Sequence, residues 1–496
     1  MKMMSGRLAA ILGGTVSIIL SAQTPAPHRE CAGLTGLTLP DITIGEAVAV
    51  PAEASGEIRA PHCRVTGVIG TEIRFSLLLP DAWNGKFMMG GGGGFVGMIS
   101  NQAKTTVNDG YATVGTDTGH PGEMFDAGWA LDHLERQVNW GFVAVHRTAE
   151  TAKAILRHYY GATEKHSYFS GCSNGGRQGL MEAQRFPGDF DGIVVGAPAH
   201  DFVGLAAQFV RDAQAVFPNS RNLSAPMFTP ETLQSVEAQI VEKCDAVDGV
   251  TDGLLEDPRR CNVDVAGLAG LSNRQRAALR KIYAETSGKE GAIYPARPVG
   301  GEGEVDGWPK WITGGSRFAT GQSPSLGFAL ATHLFKFLVF NDPSWDYSRY
   351  DVTNARKDAR LAATFMNASN PDLDTFKAKG GKLIVWHGWS DPLNPLATIK
   401  YYEQVQERDA GVRDYLRMFL MPGVLHCGGG PGPDTVDWPT TLADWVENGK
   451  APDRVIARKA AASNAVSRTR PLCPYPQRAE YTRAGSTDDA ANFVCR

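Results

Sequence analysis

The sequence predicts an α/β fold in which a mostly parallel sheet is interrupted by one long insertion. Three observations carry that prediction. Strand-like and helix-like stretches alternate from about residue 86 to residue 198, and again from 382 to 422. Between them, over residues 200–378, the composition turns irregular, with many Pro, Gly, Asn and Trp residues and short helical stretches. The pentapeptide Gly171-Cys172-Ser173-Asn174-Gly175 follows a β-like run, His166-Ser-Tyr-Phe-Ser170, and opens a helical stretch over residues 176–185. Strand, then G-x-S-x-G, then helix is the context a nucleophile elbow requires, since its glycines permit the sharp turn that lifts the serine oxygen clear of the sheet. Five residues with three fixed recur by chance, so the flanking elements carry the weight.

The elements follow in order. Residues 62–80 alternate like strands, and Trp83-Asn84-Gly85 is a turn. Lys86-Phe-Met-Met89 reads as a short buried strand running into five glycines, Gly90 to Gly94. A flexible linker is one reading of that run. Its place between strand and helix suits an oxyanion loop, where bare backbone approaches a substrate, and no Gly-Lys-Ser/Thr follows to make a phosphate loop. Tyr111 to Asp117 is a further strand, and residues 140–160 have helical periodicity through Phe142, Val145, Ala149, Ala152 and Leu156. After the elbow comes the strand Gly192 to Pro198. The rhythm resumes with a strand over residues 382–391, a helix at 396–409 and a strand from Leu416 to Pro422. The pattern is that of an α/β-hydrolase core with a large inserted lid domain: core over 23–199, lid over 200–378, core again over 379–496.

A length of 496 residues exceeds one ordinary core, which agrees with an insertion. Hydrophobic content of 43% and charged content of 21% describe a soluble globular protein. A net charge of −4 without any basic cluster argues against nucleic acid and anionic membranes as partners. Residues 1–22 read as an export signal: Lys2 and Arg7, an apolar stretch from Leu8 to Leu20, and a small-residue exit at Ser21-Ala22. That stretch is too short to span a bilayer. The expected destination is secreted or periplasmic. Eight cysteines, with no C-x-x-C pair, suit disulfides in that compartment rather than metal thiolates. Of the 105 pairings that eight cysteines allow, proximity suggests Cys31–Cys63, Cys244–Cys261 and Cys473–Cys495, leaving Cys172 with Cys427.

A serine nucleophile needs a base and an acid to orient that base. Asp391 ends a predicted strand and His426 follows the last one, so the chain order Ser173, Asp391, His426 is that of α/β-hydrolases. Helix N-cap before Pro392 is the competing role for Asp391, and an ordinary loop histidine for His426. Cys172 precedes the candidate nucleophile and Cys427 follows the candidate base. A bridge between them would bring both within reach, besides limiting unfolded-state entropy. Separately, Cys244-Asp-Ala-Val-Asp-Gly-Val-Thr-Asp-Gly-Leu254 offers Asp245, Asp248 and Asp252 with the carbonyls of Val250 and Leu254, hard oxygen ligands suited to Ca²⁺. Val247 and Gly249 fill positions where an EF-hand needs ligands, and an acidic, Gly-rich turn is the alternative.

Together these residues resemble the tannase and feruloyl esterase family, from about Cys31 to Cys495. The motifs that carry the likeness are Gly-Cys-Ser-x-Gly-Gly, His-Gly-x-Ser-Asp, His-Cys-x-Gly-Gly-Pro-Gly and Arg470-Pro-Leu-Cys-Pro-Tyr-Pro476. The resemblance implies a triad of Ser173, Asp391 and His426, a characteristic Cys172–Cys427 bridge, and an oxyanion hole from the backbone N–H groups of Gly94 and Asn174. It also implies a structural calcium in the lid, held by the loop closed by Cys244 and Cys261, and aromatic-acid binding by Trp311 and Phe328. Terephthalate-ester members place an arginine three or four residues before that phenylalanine. This chain has Pro324-Ser-Leu-Gly there, which points away from a free carboxylate and toward a neutral phenolic ring.

The expected function is a secreted serine carboxylesterase, feruloyl esterase-like, acting on small aromatic esters of plant cell-wall or polyphenol origin through an acyl-enzyme. A galloyl-ester hydrolase (tannase) is the alternative within the class. From other classes come a non-catalytic, calcium-dependent polyphenol binder and a peptidase on the same fold, for which nothing suggests capture of a peptide terminus.

Overall fold

The structure is a computed structural model that describes residues 27–315, 323–461 and 466–496; the expected export signal lies outside them. Nine strands form the central sheet: β1 (Ile42–Val50), β2 (His62–Ile69), β3 (Ile73–Pro80), β4 (Lys86–Gly90), β5 (Ala112–Thr116), β6 (His166–Cys172), β7 (Gly192–Gly196) and, after a short hairpin of β8 (Thr286–Gly288) and β9 (Gly291–Tyr294), β10 (Lys382–Gly388) and β11 (Leu416–Met421). Their order is β1-β2-β3-β5-β4-β6-β7-β10-β11. The first three strands and β5 pair antiparallel. From β5 through β11 every pairing is parallel. This is an α/β-hydrolase architecture.

Two-residue periodicity makes the sheet a shared wall. In β4, β6, β7 and β10, neighbouring residues alternate between two cores: Phe87, Phe169, Val195 and Leu383 on one face, Met88, Tyr168, Val194 and Ile384 on the other. Strands buried on both faces read as continuous apolar runs, which is why the parallel half was visible in the sequence. One face is covered by α2 (Ala144–Tyr160), which α1 (Leu134–Val138) enters through a π turn at Asn139–Val143, and by α3 (Asn174–Arg185).

Between β7 and β10 lie α4 (Phe202–Val216), α5 (Pro230–Cys244), α6 (Asn273–Tyr283), α7 (Leu326–His333), α8 (Ala355–Asp358), α9 (Arg360–Met366) and α10 (Asp374–Ala378), which add no strand to the large sheet. Two of these, α4 and α5, have 15 residues each, longer than the irregular composition suggests. Both have side-chain N-caps, Asp201 and Thr229, and α5 also has Pro230 at its first position. Their apolar side chains form a third core with Phe95 and Trp140 of the sheet-bearing part. Helix α11 (Pro395–Arg408) links β10 to β11, and α12 (Trp438–Asn448) covers the second face of the sheet. Four disulfides, Cys31–Cys63, Cys172–Cys427, Cys244–Cys261 and Cys473–Cys495, have Cα–Cα distances of 5.6, 5.9, 5.5 and 5.5 Å.

Candidate active site

Ser173 sits between the last residue of β6 and the first of α3, with φ 65° and ψ −125°. A side chain there is strained, and the surroundings hold it in place. Its N–H donates to the Gly196 carbonyl at 2.9 Å, and its carbonyl accepts from Arg177 N–H at 3.0 Å. Gly171 is required by space: a Cβ there would lie 2.7 Å from the Gly175 backbone. Arg177, fully buried, fastens the start of α3. Its guanidinium donates to Asn174 Oδ1 at 2.7 Å and to the carbonyls of Gly141, Met366 and Trp140, and it stacks 4.3 Å from the Trp140 ring centre. Burial lowers its pKa to about 9, still leaving it a cation at neutral pH.

His426 and Asp391 come from the loops after β11 and β10. Their contact is direct: His426 Nδ1 lies 2.8 Å from Asp391 Oδ2. Burial alone would raise the Asp391 carboxyl, but the charges of His426 and His387 outweigh it and hold the group well below the usual carboxylate range. The helix cap that competed for Asp391 falls instead to Asn394, whose side chain accepts from Leu396 N–H. Asp391 Oδ1 accepts from Leu393 N–H at 2.7 Å and fixes the turn. That leaves His426 Nε2, buried and without a hydrogen bond among the described residues, as the ring nitrogen available to a reacting group.

Ser173, His426, Gly93 and Gly94 line one cavity of about 740 Å³, within the range of small-ligand sites. Gly94 has φ 51°, and a Cβ there would meet the Met124 carbonyl at 2.3 Å. Only glycine fits that approach. Asn174 opens α3, so its backbone N–H is one of the donors a helix leaves unpaired. Cys172 and Cys427 tie the loops of Ser173 and His426 together at a Cα–Cα distance of 5.9 Å. Gln102 braces the same point, accepting from Cys172 N–H at 2.8 Å and donating to its carbonyl at 3.3 Å.

Apolar side chains form most of the cavity wall: Met124 and Phe125 from the loop after β5, Phe202 and Leu205 from α4, and Trp311, Leu326 and Leu330 from the segment before β10. Trp311 stands edge-on to the His426 ring at 4.7 Å between centroids. Phe328 is placed elsewhere. It packs on Phe217 and Tyr347, 6.0 and 5.0 Å away, while Leu326 and Leu330, one turn apart on the same helix, take the cavity face.

The sequence motif His-Gly-x-Ser-Asp begins at His387 without revealing a role for it, and nothing singled out the Met124–Phe125 wall. His387 lies at the end of β10, its Nε2 3.1 Å from Asp391 Oδ2 and its Nδ1 2.8 Å from Thr398 Oγ1. A histidine four residues before the candidate acid was the available signal.

The acidic loop after α5 gathers Asp245, Asp248 and Asp252 around its own turns. Asp245 accepts from Asp252 and Gly253 N–H, and Asp248 from Val250 and Glu256 N–H. Burial, and after it the neighbouring Asp252 and Asp245, hold the Asp248 carboxyl above its ordinary range. The buried carbonyls of Val250 and Leu254 accept no hydrogen bond among the described residues. Asp252 divides its carboxylate between Leu254 N–H and the Arg470 guanidinium. Three carboxylates and two spare carbonyls are the oxygen donor types that a hard divalent cation takes.

The sequence profile of tannase and feruloyl esterase matches residues 58–496. The chain belongs to this family. It is a carboxylic ester hydrolase, which sets aside a non-catalytic binder. It is 31% identical over 524 aligned positions to the mono(2-hydroxyethyl) terephthalate hydrolase of Piscinibacter sakaiensis, covering 90% of this chain and 87% of that one. It is 29% identical over 483 positions to feruloyl esterase B of Aspergillus niger, covering 90% and 89%. Among solved structures, feruloyl esterase B from Aspergillus oryzae is similar with a TM-score of 0.82 at 25% identity, over 94% of this chain and 100% of that one. The family's hydrolytic chemistry thus belongs to a chain whose elbow, glycine loop and His–Asp pair meet at one cavity.

Proposed function

We propose that this family member is a secreted serine esterase that cleaves esters of neutral phenolic acids, feruloyl esters ahead of galloyl esters, beneath a lid formed by residues 200–378. The observation that carries the reading is the Asp391–His426 pair opening its free ring nitrogen on the cavity that Ser173 also lines. His426 takes the proton of Ser173 as its oxygen attacks the ester carbonyl. Asp391, kept ionised, stabilises the imidazolium. The N–H groups of Gly94 and Asn174 hold the charge on the tetrahedral oxygen. His426 then protonates the departing alcohol, and water, activated by the same imidazole, releases the acid from the acyl-enzyme.

Substrate class rests on the wall of the cavity. Met124, Phe125, Trp311 and the leucines suit an aromatic acyl group, and the Lys310 ammonium that lines the same space lies 3.2 Å from Asp306. The named relatives act, by their names, on feruloyl and terephthalate esters, both aromatic acids. The proposed calcium, held by Asp245, Asp248, Asp252 and the carbonyls of Val250 and Leu254, supplies positive charge that lets the loop close; no step of ester cleavage passes through it. Chelation should therefore lower Tm and leave kcat of the surviving folded enzyme unchanged.

The test is hydrolysis of methyl ferulate beside methyl gallate by native protein and by Ser173→Ala. Turnover of the ferulate ester, faster than the gallate and abolished in the variant, is expected. Faster gallate turnover moves the chain to the tannase branch. Full activity in Ser173→Ala sinks the mechanism.

A further inference from the structure

A second cluster of reactive side chains lies on α2, α3 and the turn that follows, away from the ester site. Glu182 stands on α3 eight residues after Asn174, about 12 Å along the helix at 1.5 Å per residue. It is fully buried, and neither carboxylate oxygen has a hydrogen-bond partner among the described residues. Such a group is costly unless something positive reaches it. Facing it are His146 of α2 and Asp189, with His146 Nδ1 2.6 Å from Asp189 Oδ2. One ligand atom from each of the three residues lies within 4.8 Å of the others. His146 is stacked on Phe186 at 3.8 Å, so its ring is held in orientation. His146 and Asp189 keep side-chain exposures of 23% and 17%, which makes the cluster a cup open to solvent with Glu182 at its floor.

We propose that His146, Glu182 and Asp189 form a site for a zinc-class divalent cation, which ties the nucleophile-bearing helix α3 to α2. One imidazole and two carboxylates are a borderline donor set, favouring Zn²⁺ over Ca²⁺. Ligand atoms about a tetrahedral ion with bonds of about 2.0 Å lie roughly 3.3 Å apart, so small side-chain movements convert the present spacing. Water entering from the open side can complete the shell, while Glu150, 3.4 Å from the opposite ring nitrogen Nε2, holds the imidazole from behind. The competitor is Lys153, whose ammonium donates to the Asp189 carbonyl beneath the rings of Phe87 and Phe190.

The experiment uses EDTA-treated protein returned to excess Ca²⁺, which keeps the acidic loop supplied, and titrates it with ZnCl₂ and CoCl₂. One equivalent of Zn²⁺ should bind by calorimetry, Tm should rise by a few degrees at metal a hundredfold above Kd, and Co²⁺ should give the visible absorption of a low-symmetry centre. Glu182→Gln and His146→Gln should each lose all three responses. Ester turnover, where present, should stay within twofold of native, because neither residue touches the cavity. Absence of Zn²⁺ and Co²⁺ binding in the folded native protein overturns the site, whether or not the ester reading holds. So does unchanged binding in both variants. A Glu182→Gln variant that melts higher than a native protein that binds no metal would show that a proton, not a cation, neutralises the pair.

Discussion

The two walls of the cavity are built on different principles. On the sheet side, Ser173, Gly94, Asp391 and His426 are placed by backbone. Ser173 adopts a positive φ, Gly94 admits no Cβ, and a disulfide joins the neighbours of Ser173 and His426. On the insertion side, Phe202, Leu205, Trp311, Leu326 and Leu330 contribute apolar area from helices packed into a shared core. Backbone placement tolerates almost no change; apolar packing tolerates volume-conserving exchange at small cost. On the proposed mechanism, the first wall carries the chemistry and the second the choice of ester.

The largest effect should come from cutting the tie on the sheet side. Cys172→Ser with Cys427→Ser opens a loop of 255 residues, worth about 5 kcal/mol on the chain-entropy account against about 3 kcal/mol for the 22-residue loop of Cys473–Cys495. It should also lower kcat by about 100-fold, since displacement of reacting groups by about 1 Å costs that much. Removing Cys473–Cys495 should lower Tm with kcat unchanged. Equal kcat in the two double variants would mean that Gln102 and the elbow glycines position the triad without the bridge.

A smaller effect separates contact with substrate from packing inside the insertion. Trp311→Ala removes an aromatic wall and should raise KM for methyl ferulate about tenfold, roughly 1.4 kcal/mol of lost burial, with little change for an acetyl ester. Phe328→Leu should lower Tm through lost contact with Phe217 and Tyr347 and leave KM alone. Steady-state kinetics on the two esters decides it. A raised KM in Phe328→Leu would return that residue to the binding wall.

The same contrast explains what the sequence could reveal. Backbone-dictated features leave local marks: the glycines around Ser173, the five-glycine run, and the continuous apolar strands β4, β6, β7 and β10. The Asp391–His426 contact spans 35 residues yet was legible, because each residue ends a strand and the chain order is restrictive. Strand β1 was missed: its burial pattern is largely exposed, so alternation is weak at that edge. The helices α4 and α5 were masked by the Pro- and Gly-rich segments around them. Phe328 and Leu330 are equally apolar, and only the rotation of α7 decides which lines the cavity. No periodicity in one short helix carries that information.

Buried carboxylates bring the contrast down to its smallest measurable consequence. Asp391, on the sheet side, lies below the usual range because two histidines outweigh its burial; its stabilising contribution is present above the unfolded pKa and is lost only as pH falls through the lower folded one. Glu237 behaves oppositely. Burial first, then Glu302 and Glu304, raise it from 4.5 to about 7, although Gly301 and Gly303 N–H groups donate to it. The folded chain therefore holds a proton that the unfolded chain has already released between pH 4.5 and 7, and stability must fall across that window. Acid should loosen the sheet side, whereas rising pH should loosen the insertion. Glu237→Gln removes the titration but keeps the shape, so its Tm relative to native should improve steadily from pH 5 to pH 7.5. Parallel Tm curves for the two proteins over that range would place the pH sensitivity of the insertion elsewhere, with Glu302, which burial raises in the same direction, next in line.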